Sequence, residues 1–170
     1  LIEEGLKGIP LQEVGVILDK RPMDKEIFGA SLVDRLLMLL AIFQERKEIS
    51  IGVCNQGLFL SKLLALRPHL PPGVRIYLIM GYDTLVRLFD PRYYEDREKA
   101  LREIFSMAKV LVGLRGEAGE RELRSFLSQP AQRPYASSVI PLEIPKGLRS
   151  ISSTQVRERV KEGLVISGLV

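Results

Sequence analysis

Arg75-Ile76-Tyr77-Leu78-Ile79-Met80-Gly81-Tyr82-Asp83-Thr84-Leu85 holds an apolar run of strand length that passes at once into a glycine, an aromatic residue and an acid. The run does not alternate with polar residues, which suits a strand covered on both faces. Runs of the same kind occur at Glu13 to Leu18, Ile49 to Cys54, Lys109 to Leu114 and Ser138 to Ile144. Between them the apolar spacing turns helical. The segments are Leu32 to Lys47, Leu58 to Leu66, Thr84 to Phe89, Asp96 to Met107 and Glu117 to Ser128. Leu1 to Leu6 reads as the tail of a helix, and a last helix opens at Ser152. Ser31 with Asp34 three residues on is a capping-box start for the helix at Leu32. Strands alternating with helices predict a doubly wound α/β domain with a parallel sheet. Ligands of such sheets bind beyond the carboxyl ends of the strands. That rule nominates the loop after Leu18, Asn55 to Gly57, Gly81 to Asp83, Arg115 to Gly119, and the helix start at Ser152.

Composition narrows the class. The chain has 170 residues, of which 46% are hydrophobic and 27% charged, enough for one globular domain with a real core. Its longest apolar run, Leu36 to Phe43, is far short of a membrane span, so no membrane partner is expected. One cysteine excludes an internal disulfide and fits a reducing compartment, so a cytoplasmic location is expected. The net charge of +4 is spread among acids, which suits a small anionic ligand at least as well as a nucleic acid. Few aromatics and no Trp leave no stacking platform for single strands, and no nucleic-acid partner is expected. A homo-oligomer is compatible with all of this.

Near the C-terminus stands Arg149-Ser150-Ile151-Ser152-Ser153-Thr154-Gln155-Val156-Arg157. Ser152 can cap the helix that follows, with Gln155 reaching back as the second half of a capping box. Val156, Val160 and Leu164 recur one turn apart, and Gly163 suits the C′ position. A helix start offers free N–H groups and the positive end of the macrodipole, which is a ready anion site. Arg157 lies four residues after Ser153, on the same face, and its planar fork of donors matches a phosphate. Ordinary capping with a solvated arginine explains the same residues.

Other residues also read two ways. Gly81 lets a ligand approach the backbone, and Asp83 can accept from ribose hydroxyls, or Asp83 simply caps the helix at Thr84. Lys25 is a candidate phosphate contact or one charge in a solvated loop. Arg115-Gly116 follows the fourth strand in the same way. Cys54 reads as a packed thiol. His69 is the only histidine, so a His-rich metal site is excluded, and no protein-held metal is expected. There is no Walker-type phosphate loop and no serine-hydrolase elbow.

The segment Ile151-Ser152-Ser153-Thr154-Gln155-Val156-Arg157 resembles the ISSTxIR signature of the nucleotidylyltransferases, in particular the nicotinamide and nicotinate mononucleotide adenylyltransferases. The run from Met80 to Tyr94 is similar to the eukaryotic-type, cytidylyltransferase-like branch. Lys25 ahead of Asp34-Arg35-Leu36-Leu37-Met38 resembles a lysine followed by an Arg-Leu-x-Met helix in that family. The resemblance covers Glu13 to Val165. It implies a Rossmann-like nucleotidylyltransferase fold over a single domain, residues 1–170. It also implies adenylyl transfer from ATP, with Mg²⁺ on the phosphates, to nicotinamide or nicotinate mononucleotide. By resemblance Ser152, Ser153, Thr154 and Arg157 hold the ATP phosphates, and Gly81 and Asp83 approach the nucleoside. Lys25 lies near the phosphates, with Arg157 and Lys25 as the catalytic cations. Tyr93 and Tyr94 stand near where many relatives stack a Trp on the acceptor base. The family opens with a strand leading into Gly-x-Phe-x-Pro-x-His-x-Gly-His, and no segment here matches it. That strand is central in the family's sheet, so it is expected upstream of Leu1 together with the first phosphate loop. The alternative is a sheet that closes across the missing position. A related transferase taking CTP or a phosphopantetheine acceptor, or a non-catalytic nucleotide-binding protein, are the other readings.

Overall fold

The computed structural model describes residues 1–20, 29–114, 119–145, 147, 151 and 153–165. Its elements are α1 (Ile2–Gly8), β1 (Val14–Asp19), α2 (Leu32–Phe43), β2 (Ile49–Cys54), α3 (Phe59–Leu66) and β3 (Ile76–Gly81). They continue with α4 (Tyr82–Leu88), α5 (Arg97–Met107), β4 (Ala108–Gly113), α6 (Gly119–Ser128), β5 (Val139–Leu142) and α7 (Ser153–Lys161). The molecule is an α/β protein with parallel strands and a helix in every crossover, as the alternating pattern predicts.

The strands form two parallel sheets rather than one. β1 pairs with β2 from Val14–Ile49 to Asp19–Cys54. β3 pairs with β4 from Ile76–Ala108 to Gly81–Gly113, and β4 pairs with β5 from Val110–Val139 to Gly113–Leu142. Among the described residues no strand joins the two sheets, so closure across the gap is not observed. β1 and β3 therefore each keep one edge without a strand partner among those residues. Pro141 lies in β5, an edge strand, where its missing N–H costs no ladder bond in the interior.

The three-stranded sheet holds the core. Alternation along the strands sends Leu78, Met80, Val110, Val112 and Val139 to one face. There they meet Leu63 of α3, Leu85 and Leu88 of α4, Leu101 and Ile104 of α5, and Leu123 and Leu127 of α6. Burying each such side chain stabilises the fold by about 1.5–3 kcal/mol. Phe89, Phe105, Phe126 and Tyr135 close this face, with Phe105 stacked on Tyr135 at 4.7 Å between ring centroids. The other face receives α1. Gly5 lets that helix approach β3, since a Cβ there would stand 3.0 Å from Ile79 Cδ1. Gly113 of β4 likewise makes room for the Leu1 side chain. β4 is thus covered on both sides, and Val110, Leu111 and Val112 are fully buried.

The β1–β2 unit is packed less. Ile17 and Val53 are about half exposed, and no residue of α2 is buried, although that helix is almost wholly apolar. The expected capping box at its start is present. The Ser31 hydroxyl accepts from Asp34 N–H at 3.1 Å, and the Asp34 carboxylate accepts from Ser31 N–H at 2.9 Å. α2 ends at Phe43 rather than Lys47. The intervening residues form a turn, with Ile49 N–H donating to Arg46 O at 3.0 Å, which sets Ile49 opposite Val14. Arg133 to Ser138 forms a 3₁₀ turn that drives Tyr135 into the core, so β5 is shorter than its apolar run.

Local stability follows this uneven coverage. Hydrogen exchange read by mass spectrometry is expected to show residues 108–113 protected longest and residues 14–19 and 49–54 exchanging first. Equal protection of all five strands would contradict the packing described.

Candidate functional site

All strands run parallel within their sheets, so each sheet gathers its carboxyl ends on one side. Gly81 ends β3 and is the N-cap of α4, with φ −82° and ψ 164°, a conformation open to any residue. A Cβ built on it would meet nothing within 4 Å. The glycine is therefore not required by the backbone; what it leaves is open space beside the strand end. No side chain caps α4. Asp83 lies inside the first turn of α4 and is exposed, so the reading of Asp83 as the cap is not what the structure has. Its carboxylate adds a negative charge at the positive end of a short helix.

Arg87 is a residue that the motif reading passed over. Its Nη2 donates to Thr84 Oγ1 at 3.2 Å and its Nε to Asp83 O at 3.4 Å, which folds the guanidinium back along the first turn. The signal was available, because Arg87 follows Asp83 by one helical turn. Tyr82 packs edge-on against Phe126 at 6.1 Å. Burial, and then the Glu122 and Asp83 charges, push its phenol up, so it remains a neutral donor near neutral pH.

In α7 the Arg157 Nη2 donates to Thr154 Oγ1 at 3.2 Å. A hydroxyl and a guanidinium are thus brought together one turn into the helix, with Thr154 as the partner. Both side chains are exposed. The helix closes as its spacing predicts. Gly163 takes φ +67°, Leu164 N–H donates to Arg159 O at 2.9 Å, and Gly163 N–H donates to Val160 O at 3.1 Å, the paired bonds of a Schellman end. Ser152, Lys25, Arg115 and Gly116 lie outside the described residues, and Ser153 enters only as the first residue of α7.

Tyr93 and Tyr94 are half-buried. Tyr94 serves the fold: its hydroxyl donates to Leu88 O at 2.7 Å, while Arg97 Nε donates to Phe89 O at 2.7 Å. These two side chains satisfy carbonyls that the end of α4 leaves without helical partners. Burial pushes the Tyr94 phenol up to about 12.

Among the described residues no group of three or more His, Cys, Asp or Glu could hold a metal ion. No helix among them is long and apolar enough to cross a membrane. Cys54 is half-buried and its Sγ accepts from Gln56 N–H at 3.4 Å.

Parallel strands with helical crossovers and polar groups at their carboxyl ends define the class as an α/β fold of the Rossmann-like kind. No family model matches the chain. The chain is similar to a protein of Schizosaccharomyces pombe named "Putative nicotinamide mononucleotide adenylyltransferase", with 30% identity over 155 residues. The matched region is 82% of this chain and 61% of that relative, so the chain spans about three-fifths of the relative's length.

The Tyr94 bond makes a direct expectation. Tyr94→Phe keeps the ring and loses one hydrogen bond, so it should cost about 0.5–1.5 kcal/mol in a denaturant titration. The sign with pH is also set. A phenol raised from 10.0 to about 12 keeps its stabilising effect below pH 10 and loses it as pH climbs toward 12. Thermal melts should fall across that window in the parent and less steeply in Tyr94→Phe. Parallel curves would remove the assignment.

Proposed function

We propose that the protein transfers an adenylyl group from ATP to nicotinamide or nicotinate mononucleotide, releasing pyrophosphate and forming a dinucleotide. The observation that carries this reading is the Thr154–Arg157 pair within the segment that resembles the nucleotidylyltransferase signature. The similarity to the Schizosaccharomyces pombe protein supports the same reaction. An acceptor phosphate is ionised at neutral pH and attacks the α-phosphorus of ATP without a general base, with pyrophosphate leaving. Catalysis then consists of alignment and charge neutralisation. Arg157 contributes a planar fork to the triphosphate, with the backbone N–H groups at the start of α7 and the hydroxyls of Ser152, Ser153 and Thr154. Lys25 supplies a second cation. Gly81 leaves the space that the nucleoside enters, Asp83 accepts from its hydroxyls, and Tyr93 and Tyr94 border the acceptor base. Mg²⁺ enters on the ATP phosphates; the described carboxylates form no cage for it.

The deciding experiment incubates the protein with ATP, Mg²⁺ and each mononucleotide and follows dinucleotide and pyrophosphate by chromatography. Stoichiometric appearance of both is expected. Nucleotide binding without product would move the protein to the non-catalytic class; product with CTP in place of ATP would change the donor, and product from a pantetheine phosphate would change the acceptor.

Two variants test the residues. Arg157→Ala should weaken ATP binding by about 1.5–3 kcal/mol in a calorimetric titration, with little change in melting temperature because the side chain is exposed. Gly81→Val should fold, since its backbone suits valine and its Cβ meets open space, yet should lose nucleotide affinity. An affinity unchanged by the valine would take Gly81 out of the site.

A further inference from the structure

The helix α2 carries two apolar stripes where an ordinary surface helix carries one. Leu32, Leu36, Leu39 and Phe43 recur at spacings of four, three and four, and all are half-buried. Val33, Leu37, Leu40 and Gln44 repeat that spacing one position later, and all are exposed. Gln44 caps the helix with a helical backbone, so it continues the second stripe. Ala41 lies beside this stripe, and Met38 and Ile42 extend it further round the helix. Val33, Leu37, Met38, Leu40 and Ile42 are 62%, 58%, 50%, 46% and 54% exposed. Together they show water about 500 Å² of mostly apolar surface, the upper end of what a monomer leaves open. No described element covers it.

Charge and shape select the occupant. A lipid surface is recognised by basic residues flanking the apolar face of a helix. The two charged residues of α2 do not supply them. Asp34 is an exposed acid in the first turn, and Arg35 is half-buried with its Nη2 donating to the Asp19 carbonyl at 3.4 Å. The face is the convex side of one helix, which suits a second helix laid along it. Its spacing of four, three and four reads the same in both directions. A two-fold antiparallel copy therefore sets Leu37 against Leu40 of the second copy and Val33 against its Gln44, which is the self-complementarity that a two-fold interface requires. The small Ala41 lets the two backbones approach. Two copies joined in this way bury about 1,000 Å², the area that a specific interface must clear. We propose that α2 is the interface of a two-fold dimer of this chain, with the Val33–Leu37–Leu40–Gln44 stripe packed antiparallel on its own copy. The inference rests on α2 alone and not on the adenylyl transfer proposed above.

Sedimentation equilibrium of the full chain tests it. The parent should pass from one chain mass to two across the micromolar range. Leu37→Glu and Leu40→Lys each set a charge against a leucine twice per dimer, and each should weaken association by about tenfold or more. Both positions are exposed in the single chain, so melting temperatures at low concentration should stay close to the parent's. An equal mixture of the two variants should dimerise again, because the antiparallel register brings the new opposite charges together at one of the two central contacts. Val160→Glu, at an exposed apolar position of α7, should leave the dimer unchanged. A parent that keeps one chain mass throughout overturns the proposal. So does a dimer indifferent to both charges, or a mixture that stays monomeric. Parent chain that co-sediments with vesicles of anionic phospholipid, and loses this in Leu37→Glu without ever dimerising, assigns the stripe to lipid and also overturns it. Leu37→Ser removes the apolar contact without adding a charge, and reads the same loss of association if the charged variants fail to fold.

Discussion

Parallel pairing is the constraint on which the rest of this structure depends. Two parallel strands cannot be joined by a tight turn; the chain must travel back along the sheet before the next strand begins. Here that return is made by α2 between β1 and β2, by α4 and α5 between β3 and β4, and by α6 between β4 and β5. The helices bring apolar faces, so each crossover also supplies the cover that a parallel strand needs. The same constraint points all strand ends of a sheet in one direction. Gly81, Gly113 and Leu142 therefore finish on one side of their sheet, and Asp19 and Cys54 on one side of the other.

Coverage differs between the two sheets, and with it the energetics. β4 has a partner strand on either side, helices on one face and α1 on the other, and its central residues are out of water. Among the described residues β1 and β2 form a pair without a third strand, and the half-exposed Ile17 and Val53 show how little a two-stranded unit can bury. α3 links the two regions. Leu63 is buried in the core of the three-stranded sheet, and the neighbouring Lys62 grips the end of β1 through Asp19. The pair gains Coulomb energy in a partly desolvated setting but also loses hydration, so its net contribution is modest. Its clearer effect is positional, holding a strand end and a helix face in one register.

Polar accounting separates residues that serve the fold from residues left for chemistry. Tyr94 and Arg97 answer the carbonyls of Leu88 and Phe89, and Arg87 answers the Asp83 carbonyl and the Thr84 hydroxyl. Asp83 remains an exposed carboxylate with no capping task. Arg157 carries five N–H donors and spends one on Thr154 in the bond described, which leaves a fork suited to a planar arrangement of oxygens. Asp19 is taken up in an ion pair with Lys62, whose Nζ stands 2.7 Å from Oδ1.

What the sequence determined by itself was local and periodic. The apolar run before Gly81 announced a strand, though one that is only partly buried apart from Met80, the Ser31–Asp34 spacing announced a capping box, and Gly163 announced a helix end. Each of these rests on residues within a few positions of one another, whose backbone geometry is decided by neighbours. The α/β class followed from the same short-range pattern, and so did the placing of Gly81 and Asp83 at a strand end. Only the tertiary structure decided the rest. That the strands divide into two sheets depends on which edges meet, and an apolar run says nothing about its partner. That Tyr94 reaches back to Leu88 depends on how the chain turns at Pro91. That Asp19 is met by a lysine 43 positions away and by Arg35 depends on α3 and α2 converging on the end of β1. A charge in a sequence has no address until the packing of its helix supplies one, and for this chain the packing gave Lys62 and Arg35 theirs.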